Sequence, residues 1–506
     1  MADTQREIER KYESDESGLP DLTGVAGVEA VIDKGVAHLD AVYYDTADER
    51  LAAASLTLRR RTGGSDAGWH LKVPVAPGVR DEIREPLSDT VPHTLAGLVR
   101  ARVREAELLP VVRLRSDRDI RHLVDADGAL LAEVSVDAVR AERLTDGGGT
   151  AQWTEIEVEL ADGGDPVFLD KVEKRLRKAG VRPSSSASKL ARALAETAPK
   201  KSKKRRAPVS PPQEPQSAGD HVLAYVRAQR DAILELDPAV RQDAYDSVHR
   251  MRVATRRLRS TFRSYGKVLD RTVTDPIGEE LKWLASELGV DRDREVLTER
   301  LTTVLAELPG TLVSGPIRTR LDTWAGARRG GSRSRLIGVL DSGRHLALLD
   351  TLDALVAEPP LLKDAAGTPE KVIAKAVRKD FGKVSALVEE AIGAPPGADR
   401  DLALHEARKK AKRTRYAAEA ATPALGGPAR ALAKSMKSLT SLLGEHQDSV
   451  MVRVTLRELS AVAHAAGESS FTYGVLYGRE EQRAAGVERA LPGAWAEIVA
   501  EGAVQG

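Results

Sequence analysis

Charged residues at alternate positions of short β-type segments constrain the fold of this chain more than any other feature. The stretch EIERK places Glu7, Glu9 and Lys11 two residues apart, and alternate residues of a strand point to one face of a sheet. Five further segments repeat the pattern: TLRRR (57–61), RDEIREPL (80–87), PVVRLRS (110–116), ALLAEVSVDAV (129–139) and WTEIEVEL (153–160). Such faces are unusual, because like charges beside one another destabilise a sheet.

Each charged face needs a partner that neutralises it. The faces carry Arg59 and Arg61; Arg80, Glu82 and Arg84; Arg113 and Arg115; Glu133 and Asp137; and Glu155, Glu157 and Glu159, to which Lys72 and Lys189 add ammonium groups. A polyanion would neutralise the basic groups and a divalent metal the acidic ones, and carboxylates without cysteine suit Mg²⁺ or Mn²⁺. A closed antiparallel barrel with a polar lumen would bring all these side chains together.

The composition is that of a globular protein without cysteine. The chain has 506 residues, of which 30% are charged and 42% apolar, and this length is enough for two or three domains. The absence of cysteine excludes disulfides and thiolate metal sites and suits a reducing compartment. No run of about 18 apolar residues occurs, and the N-terminus has no apolar stretch. We therefore expect a cytoplasmic protein with no membrane span.

The sequence divides into three parts. Residues 3–197 are predicted to form a mainly antiparallel domain with a few helices, and residues 198–219, with a basic block and a Pro-rich run, an exposed linker. Residues 220–500 have helical spacing and contain an internal repeat. There HRMRVATRRLRS (249–260) recurs as HEARKKAKRTRY (405–416), and LGVDRDREV (288–296) as LLGEHQDSV (442–450). Two matches at nearly one offset indicate a duplication and two helical bundles of similar design.

The N-terminal motifs resemble those of the CYTH, or triphosphate tunnel metalloenzyme, family. Beyond EIERK, which matches the ExExK signature, the resemblance extends in order through YYDT (43–46), LTLRRR (56–61), WHLK (69–72), RDEIRE (80–85), LLAEVSVD (130–137), EIEVEL (155–160) and SK (188–189). It implies an eight-stranded antiparallel β-barrel whose lumen, or tunnel, binds a triphosphate together with Mg²⁺ or Mn²⁺. Members of this family include inorganic triphosphatases, thiamine triphosphatases and class IV adenylate cyclases.

The resemblance also assigns roles to individual residues. It implies that metal is bound by Glu7, Glu9, Glu157 and Glu159, with Glu155 at the end of the same row, and that Glu133 and Asp137 bind a second metal or orient water. The phosphate clamp and catalytic set would be Lys11, Arg59, Arg61, Lys72, Glu82, Arg84, Arg115 and Lys189. The loose spacing of this motif leaves open which arginine of residues 113–118 faces the lumen.

Two basic stripes mark the helical part. The first contains His249, Arg252, Arg256, Arg259 and Arg263, and the second His405, Arg408, Lys412 and Arg415, with Lys409 beside it. Their spacing by three and four residues places each set on one face of a helix. Because adjacent cations on a helix cost roughly 0.2–0.5 kcal/mol per pair, an anion that spans them would be stabilising. The alternative is a solvated face that forms ion pairs with neighbouring helices.

These repeated elements resemble the CHAD, or conserved histidine α-helical, domain over about residues 220–500. The resemblance implies an all-α domain of two pseudo-symmetric helical bundles that binds inorganic polyphosphate. The whole chain is thus predicted to be a multidomain α+β protein, with an N-terminal eight-stranded barrel and a C-terminal helical domain.

The combined pattern predicts a metal-dependent triphosphatase, acting on inorganic triphosphate or polyphosphate, coupled to a polyphosphate-binding domain and associated with polyphosphate granules. The alternatives are a non-enzymatic polyphosphate-binding or localisation protein, and class IV-type adenylate cyclase or thiamine triphosphatase activity in the barrel. Specific nucleic-acid binding is disfavoured, because aromatic residues make up only 4% of the chain and no base-reading motif is present. The sequence leaves open the preferred triphosphate, the oligomeric state, and whether the helical domain regulates or localises the barrel.

Overall fold

The computed structural model describes residues 3–14, 18–145, 147–199, 214–289, 292–326 and 329–500. The chain forms two compact units, Met1–Pro212 and Gln213–Gly506. Most of the predicted linker, residues 198–219, lies outside the described residues.

The first unit is built on a closed eight-stranded antiparallel barrel, which confirms the predicted fold. Its strands are β1 Asp3–Glu13, β2 Ala30–Asp45, β3 Thr57–Thr62, β4 Gly68–Ala76, β5 Val79–Glu85, β6 Leu109–Val124, β7 Leu130–Arg143 and β8 Thr150–Leu160. The strands pair in the order β5-β4-β3-β2-β6-β7-β8-β1, and β1 also pairs with β5, which closes the barrel. The two-residue strand β9, Arg182–Pro183, pairs with the end of β1.

The register of the strands aligns the rows of charged residues. Between β1 and β8, Glu9 lies opposite Glu159 and Lys11 opposite Glu157. Between β4 and β5, Lys72 lies opposite Glu82. Because paired residues point to the same side of a sheet, the acidic and basic rows share the inner face of the barrel.

The described residues of the first unit also form four helices: α1 Arg50–Ala53, α2 His93–Val103, α3 Val167–Lys178 and α4 Lys189–Glu196. Helix α3 buries Leu169 and Val172 against Val134, Ile156 and Val158 on the outer face of β7 and β8. Each such fully buried side chain contributes about 1.5–3 kcal/mol of hydrophobic stabilisation. The barrel therefore has an apolar outside under α3 and a charged inside.

The YYDT segment fixes the turn that follows β2. Asp45 is fully buried, and its carboxylate accepts hydrogen bonds from the backbone N–H groups of Thr46, Leu51 and Ala52 at 2.7–2.9 Å. These bonds satisfy backbone donors that the short helix α1 leaves open. The motif thus has a structural role at the mouth of the β2–β3 connection.

The second unit is helical. Its helices are α5 Ala218–Arg241, α6 Ser247–Ser264, α7 Arg271–Glu287, α8 Arg292–Ala306, α9 Ile317–Gly326, α10 Arg329–Asp341, α11 Gly343–Ala357, α12 Pro369–Gly393, α13 Ala398–Leu425, α14 Gly427–Ala465 and α15 Phe471–Ala500. Among the described residues, no helix combines the length and apolar content that a membrane crossing requires.

The duplication predicted from the sequence corresponds to two similar bundles. In the first, α5 packs on α6 and α6 on α7; in the second, α12 packs on α13 and α13 on α14. The stripe-bearing helices α6 and α13 also pack directly on each other. The halves differ at the Leu-Gly element, because α7 ends at Glu287 and α8 begins at Arg292, whereas α14 continues through Gly444.

Candidate functional site

The barrel lumen is a cavity of about 690 Å³ lined mainly by charged side chains. Among the predicted site residues, those that line it are Glu7, Glu9, Lys11, Arg59, Arg61, Lys72, Arg84, Glu133, Glu157, Glu159 and Lys189. They come from six strands and from the first residue of α4. Charges removed from water are costly unless they are paired, so the pairing of these groups determines what else the lumen can bind.

The arginine of β6 that reaches the lumen is Arg118, and the prediction of Arg115 is wrong. The Arg118 guanidinium donates to both carboxylate oxygens of Asp137 at 2.8 Å and to Glu157 at 2.7 Å. Arg115 is 56% exposed and lies 3.6 Å from Asp40, which also binds Arg113. Arg113 and Arg115 are two residues apart in β6, so both side chains lie on the outer face of the barrel.

One buried cluster in the lumen wall is already neutralised by Lys189. Its ammonium lies 2.9 Å from Asp137, 2.8 Å from Glu155 and 2.6 Å from Glu157, and Trp153 donates to Glu155 at 2.6 Å. Burial lowers the pKa of Lys189, but the three carboxylates outweigh this effect and raise the pKa above its usual value. The three carboxylates are close enough to share a metal ion, but an ammonium group already lies among them.

Glu82 shares the inner face of the barrel with Lys72 but is covered by other side chains, only 1% exposed, and holds several basic groups. Its carboxylate accepts from Arg84 at 2.5 Å and from Arg59 at 3.5 Å, and Lys72 lies 3.5 Å away. His70 is 3.0 Å from the same carboxylate. Although burial opposes ionisation, these partners lower the pKa of Glu82. Glu82 therefore positions cations and does not itself line the cavity.

Glu7 and Glu9 of β1 and Glu159 of β8 line the lumen near one another. Glu7 is bonded by Lys72 and Glu9 by Lys11 at 2.9 Å. In the described part of the chain, no hydrogen bond from a basic side chain reaches Glu159. Burial and the neighbouring carboxylates, Glu7 first, raise the pKa of Glu159 to about 7. Their donors are all oxygen, the ligand type that Mg²⁺ and Mn²⁺ prefer, although among the described residues of the lumen the carboxylates close enough to share one ion are those of Asp137, Glu155 and Glu157.

Three further contacts connect the remaining predicted residues of the lumen. Glu133 lies 3.2 Å from His122, and its side chain is 34% exposed. Arg59 donates to the hydroxyl of Tyr43 at 3.4 Å. Arg61 pairs with Asp66 of the β3–β4 loop. Neither Glu133 nor the two arginines takes part in the Lys189 cluster, so they remain available to a ligand at modest cost.

The helical unit brings four predicted cations together where α6 meets α13. Burial, and then the positive charges of Arg408 and Arg256, lower the pKa of Lys412 to about 8, and Arg252 acts in the same direction. Asp448 opposes this shift. These basic groups of two packed helices form a basic groove, which we call the four-residue groove (Arg252, Arg256, Arg408 and Lys412).

In each stripe one arginine, Arg252 or Arg408, lies against a glycine of another part of the helical unit. A Cβ atom built on Gly289 would lie 2.3 Å from the Arg252 guanidinium, and one on Gly444 would lie 3.5 Å from that of Arg408. Arg252 also donates to the carbonyl of Ala285 at 3.2 Å. The Leu-Gly elements of the repeat thus give the two arginines room to lie across the neighbouring helix.

Other members of the stripes extend the basic surface. His249 is in the first turn of α6, and His405 contacts Gln447 at 2.6 Å. Burial and the charges of Arg263 and Arg256 lower the pKa of Arg259. Arg256, Arg259 and Arg263 are thus close enough to influence one another, and Glu279 partly offsets their effect on Arg259.

Two predicted residues of the second stripe already have acidic partners. Lys409 binds Glu406 at 2.6 Å, and Arg415 binds Glu419 at 2.8 Å. Glu419 also pairs with Arg257 at 2.9 Å. These contacts reduce the positive charge that Lys409 and Arg415 can offer to an anion.

Sequence reasoning missed Arg118, Gly289 and Gly444. Arg118 has the same parity as Ile120 and His122, but only the structure shows that these residues line the lumen. The two glycines could have been found from the repeat itself, because each follows a leucine at the equivalent place.

Two family models match the chain. The model described as CYTH domain matches residues 5–194, and the model described as CHAD domain matches residues 224–457. Together they include the barrel strands β1–β8, the four-residue groove and both Leu-Gly elements.

Relatives and solved structures with similar sequences or folds are found as well. The Mycobacterium tuberculosis (strain H37Rv) protein described as "Uncharacterized protein Rv2226" is 40% identical over 490 residues, which cover 94% of this chain and 92% of the relative. PptA from Streptomyces chartreusis is 21% identical, with a TM-score of 0.48 over 56% of this chain and 99% of its own. The crystal structure of the CHAD domain from Ricinus communis is 24% identical, with a TM-score of 0.44 over 56% and 93%.

Proposed function

Because this chain belongs to the families that its CYTH and CHAD domains define, we propose that its barrel is a metal-dependent triphosphatase and that its helical unit binds inorganic polyphosphate. The observation that carries the proposal is the arrangement inside one lumen of cations and of several carboxylates, among which Glu159 has a pKa raised to about 7 by burial and the neighbouring carboxylates. Pure anion binding would need the cations alone. The row of Glu7, Glu9 and Glu159 is explained by a second, cationic ligand.

In this proposal the metal is held by Glu7, Glu9 and Glu159, with Glu157 at the edge of the set. Because Glu157 already accepts from Lys11 and Arg118, it contributes less. A divalent ion bound there supplies charge neutralisation for the phosphate oxygens. The Lys189 cluster then has a supporting role, since it fixes the wall of the lumen next to the metal.

The phosphate groups are bound by the basic side chains that line the lumen. Phosphoryl transfer depends on positioning and charge neutralisation more than on covalent help from the protein. Arg59, Arg61 and Arg84 line the cavity, and each can exchange an internal partner for a phosphate oxygen. Lys11 and Lys72 bridge the phosphate and metal regions, because both are bonded to the metal-binding carboxylates.

Water is oriented in this proposal by Glu133. It lines the cavity, it is partly exposed, and its contact is His122 rather than a lysine or arginine. A carboxylate that is not neutralised by a fixed cation can accept a hydrogen bond from the attacking water and hold it in line. Glu133 lies opposite Glu159 in the pairing of β7 with β8, next to the proposed metal ligands.

The lining of the lumen favours a small inorganic substrate. Among the described lining residues, Tyr43 is the one Phe, Tyr or Trp, and it is buried beside Arg59. A cyclase or a thiamine triphosphatase needs a surface for an aromatic ring as well as the triphosphate site. Hydrolysis of inorganic triphosphate is therefore the activity that the cavity supports best.

The four-residue groove is the proposed centre of polyphosphate binding. Arg252, Arg256, Arg408 and Lys412 converge from two helices, and a linear polyanion can contact both at once. The continuity of the stripe through Arg259 to Arg263 provides further contacts along α6. This unit would hold polyphosphate without a metal ion.

A substrate panel tests the proposed activity. Purified full-length protein is expected to release orthophosphate from tripolyphosphate with Mg²⁺ or Mn²⁺, faster than from thiamine triphosphate or ATP. Glu7→Gln should remove this release, and Glu142→Gln, on the exposed side of β7, should leave it intact. Absence of release from every substrate with both metals would contradict the triphosphatase and favour a polyphosphate anchor.

A further inference from the structure

A second cationic pocket lies at the C-terminal end of α6. The cavity has a volume of about 340 Å³ and is lined by Arg263, Arg271, Lys379, Lys383 and Arg413, with Asp380 and Ser264. These residues come from four helices, α6, α7, α12 and α13, so their convergence depends on tertiary packing and is not a property of one helix face. We call this cavity the α6-end pocket.

Asp380 is the acidic residue of the lining, and its charge is shared. It is 4% exposed and accepts from the Arg413 guanidinium at 2.5 and 3.0 Å and from Ser264 at 2.6 Å. Lys383 lies 3.6 Å away. One carboxylate thus neutralises Arg413 in part and leaves the exposed lysines with little compensation.

The other acids near the pocket are already engaged. Asp275 binds Arg271 at 2.7 Å, and Glu279 lies 3.5 Å from Arg263. Neither acid lines the cavity. Lys410 lies at the margin of the pocket, close enough to Arg413 and Lys383 that their charges, after burial, lower its pKa. When protonated it adds a further positive charge. The pocket therefore has a net positive charge that a compact anion would compensate.

The α6-end pocket is connected to the four-residue groove through the first basic stripe. Arg263 belongs to both the stripe and the pocket lining, and Arg259 lies between Arg263 and Arg256 in sequence and in electrostatic contact. From Arg252 to Arg263 the helix rises about 16 Å. A phosphate chain that leaves the groove along this stripe passes Glu279, which lies 3.5 Å from Arg263, and reaches the pocket at Arg263.

We infer that the α6-end pocket binds phosphate groups of the same polyphosphate chain that occupies the four-residue groove. The inference rests on the proposed polyphosphate binding and adds a second point of attachment. It makes affinity depend on chain length, since a triphosphate is shorter than the span from Arg252 to Arg263. A long chain contacts both places, and linked contacts strengthen binding beyond either one alone.

The test compares two double variants of α12 in the full chain. Lys379→Gln with Lys383→Gln removes two lysines of the pocket, and Lys371→Gln with Lys375→Gln removes the same charge from the same helix outside the lining. Calorimetry with long-chain polyphosphate, tripolyphosphate and orthophosphate gives the affinities. We expect the pocket variant to bind long chains roughly fivefold to tenfold more weakly and the control variant to bind them nearly as the wild type does.

The outcomes separate the inference from the proposed function. Equal weakening in both double variants, or none in either, overturns the second attachment point while polyphosphate binding by the wild type stands. Loss of orthophosphate binding in the pocket variant, with long-chain affinity unchanged, also overturns it, because the pocket would then serve free phosphate. No binding of long chains by the wild type itself would contradict the proposed function.

Discussion

The barrel and the helical unit both gather basic side chains, but they neutralise them in different ways. In the barrel, Lys11, Lys72 and Lys189 are bonded to buried carboxylates. In the four-residue groove, basic groups lie beside one another, and their mutual repulsion contributes to a lowered pKa of Lys412. The difference suggests that acid and base organised together serve metal-assisted chemistry, whereas cations that lie beside one another serve anion binding.

The largest effect expected from this comparison concerns two carboxylates of the barrel: Glu159, in the proposed metal site, and Glu155, in the Lys189 cluster. Glu159→Gln should weaken Mn²⁺ binding and reduce phosphate release by roughly 100-fold, because it removes a carboxylate that lacks a basic partner. Glu155→Gln should change Mn²⁺ affinity far less, since Lys189 and Trp153 occupy that side chain. Mn²⁺ titration followed by electron paramagnetic resonance measures both. The reverse order of effects would assign the metal to the Lys189 cluster.

The next-largest effect concerns the stability contributed by two arginines of β6, Arg118 inside the barrel and Arg115 outside it. Arg118→Gln leaves the buried carboxylate of Asp137 with Lys189 alone, and loss of one partner of a buried ion pair costs about 3–5 kcal/mol. Arg115→Gln removes an exposed arginine and should change the free energy of unfolding by about 0.5 kcal/mol or less. Chemical denaturation of the two variants provides the comparison. Similar losses would mean that Arg118 is not the inward residue of β6.

A smaller effect distinguishes the two halves of the helical unit. Gly289→Ala forces the Arg252 guanidinium to move, so polyphosphate affinity should fall by roughly threefold, as for loss of one exposed charge contact. Gly444→Ala leaves Arg408 in place, and replacing a glycine within α14 should stabilise the fold by about 0.5–1 kcal/mol. Binding and thermal unfolding of both variants test this asymmetry. A larger loss of affinity in Gly444→Ala would contradict it.

The smallest effect is a pH dependence of the helical unit. Lys412, with a pKa of about 8, faces Arg252, Arg256, Arg408 and Asp448, and of these neighbours the arginines keep their charge up to pH 9. Bound polyphosphate raises the pKa of Lys412, so binding takes up a proton once the pH exceeds 8. Affinity should therefore be constant below pH 7 and fall by about three- to tenfold by pH 9.

Lys412→Arg provides the control for this pH dependence. An arginine keeps its charge over the whole interval, so its affinity profile should be flat from pH 7 to 9. The same decline in both proteins would place the titrating group elsewhere.

Much of the fold could be predicted from the sequence because its two patterns have different periods. Alternation of Glu7, Glu9 and Lys11 is compatible with a strand and not with a helix face, and the spacing of Arg252 and Arg256 has the opposite property. The resemblance to known families then supplied the closed barrel and the paired bundles. Parity alone does not show that strands close on one another.

The individual contacts could be predicted less well, because parity does not say which face of a strand is inside. In β6 the charged residues Arg113 and Arg115 face outward, and the inward row starts with Val112 and Leu114, which belong to an apolar core cluster. The lumen is thus apolar at one end, and its inward arginine comes only at position 118. Likewise, Asp137 and Glu155 belong to the acidic rows, but only the fold shows that Lys189 reaches them.

Removing the metal with a chelator tests whether the barrel depends on a metal ion while the helical unit does not. With the full-length protein, orthophosphate release from tripolyphosphate and binding of long-chain polyphosphate are measured in Mn²⁺ and again after EDTA. We predict that EDTA stops phosphate release and leaves polyphosphate binding intact, because the barrel depends on a metal and the four-residue groove does not. Phosphate release that continues in EDTA, or polyphosphate binding that disappears with the metal, would contradict the account.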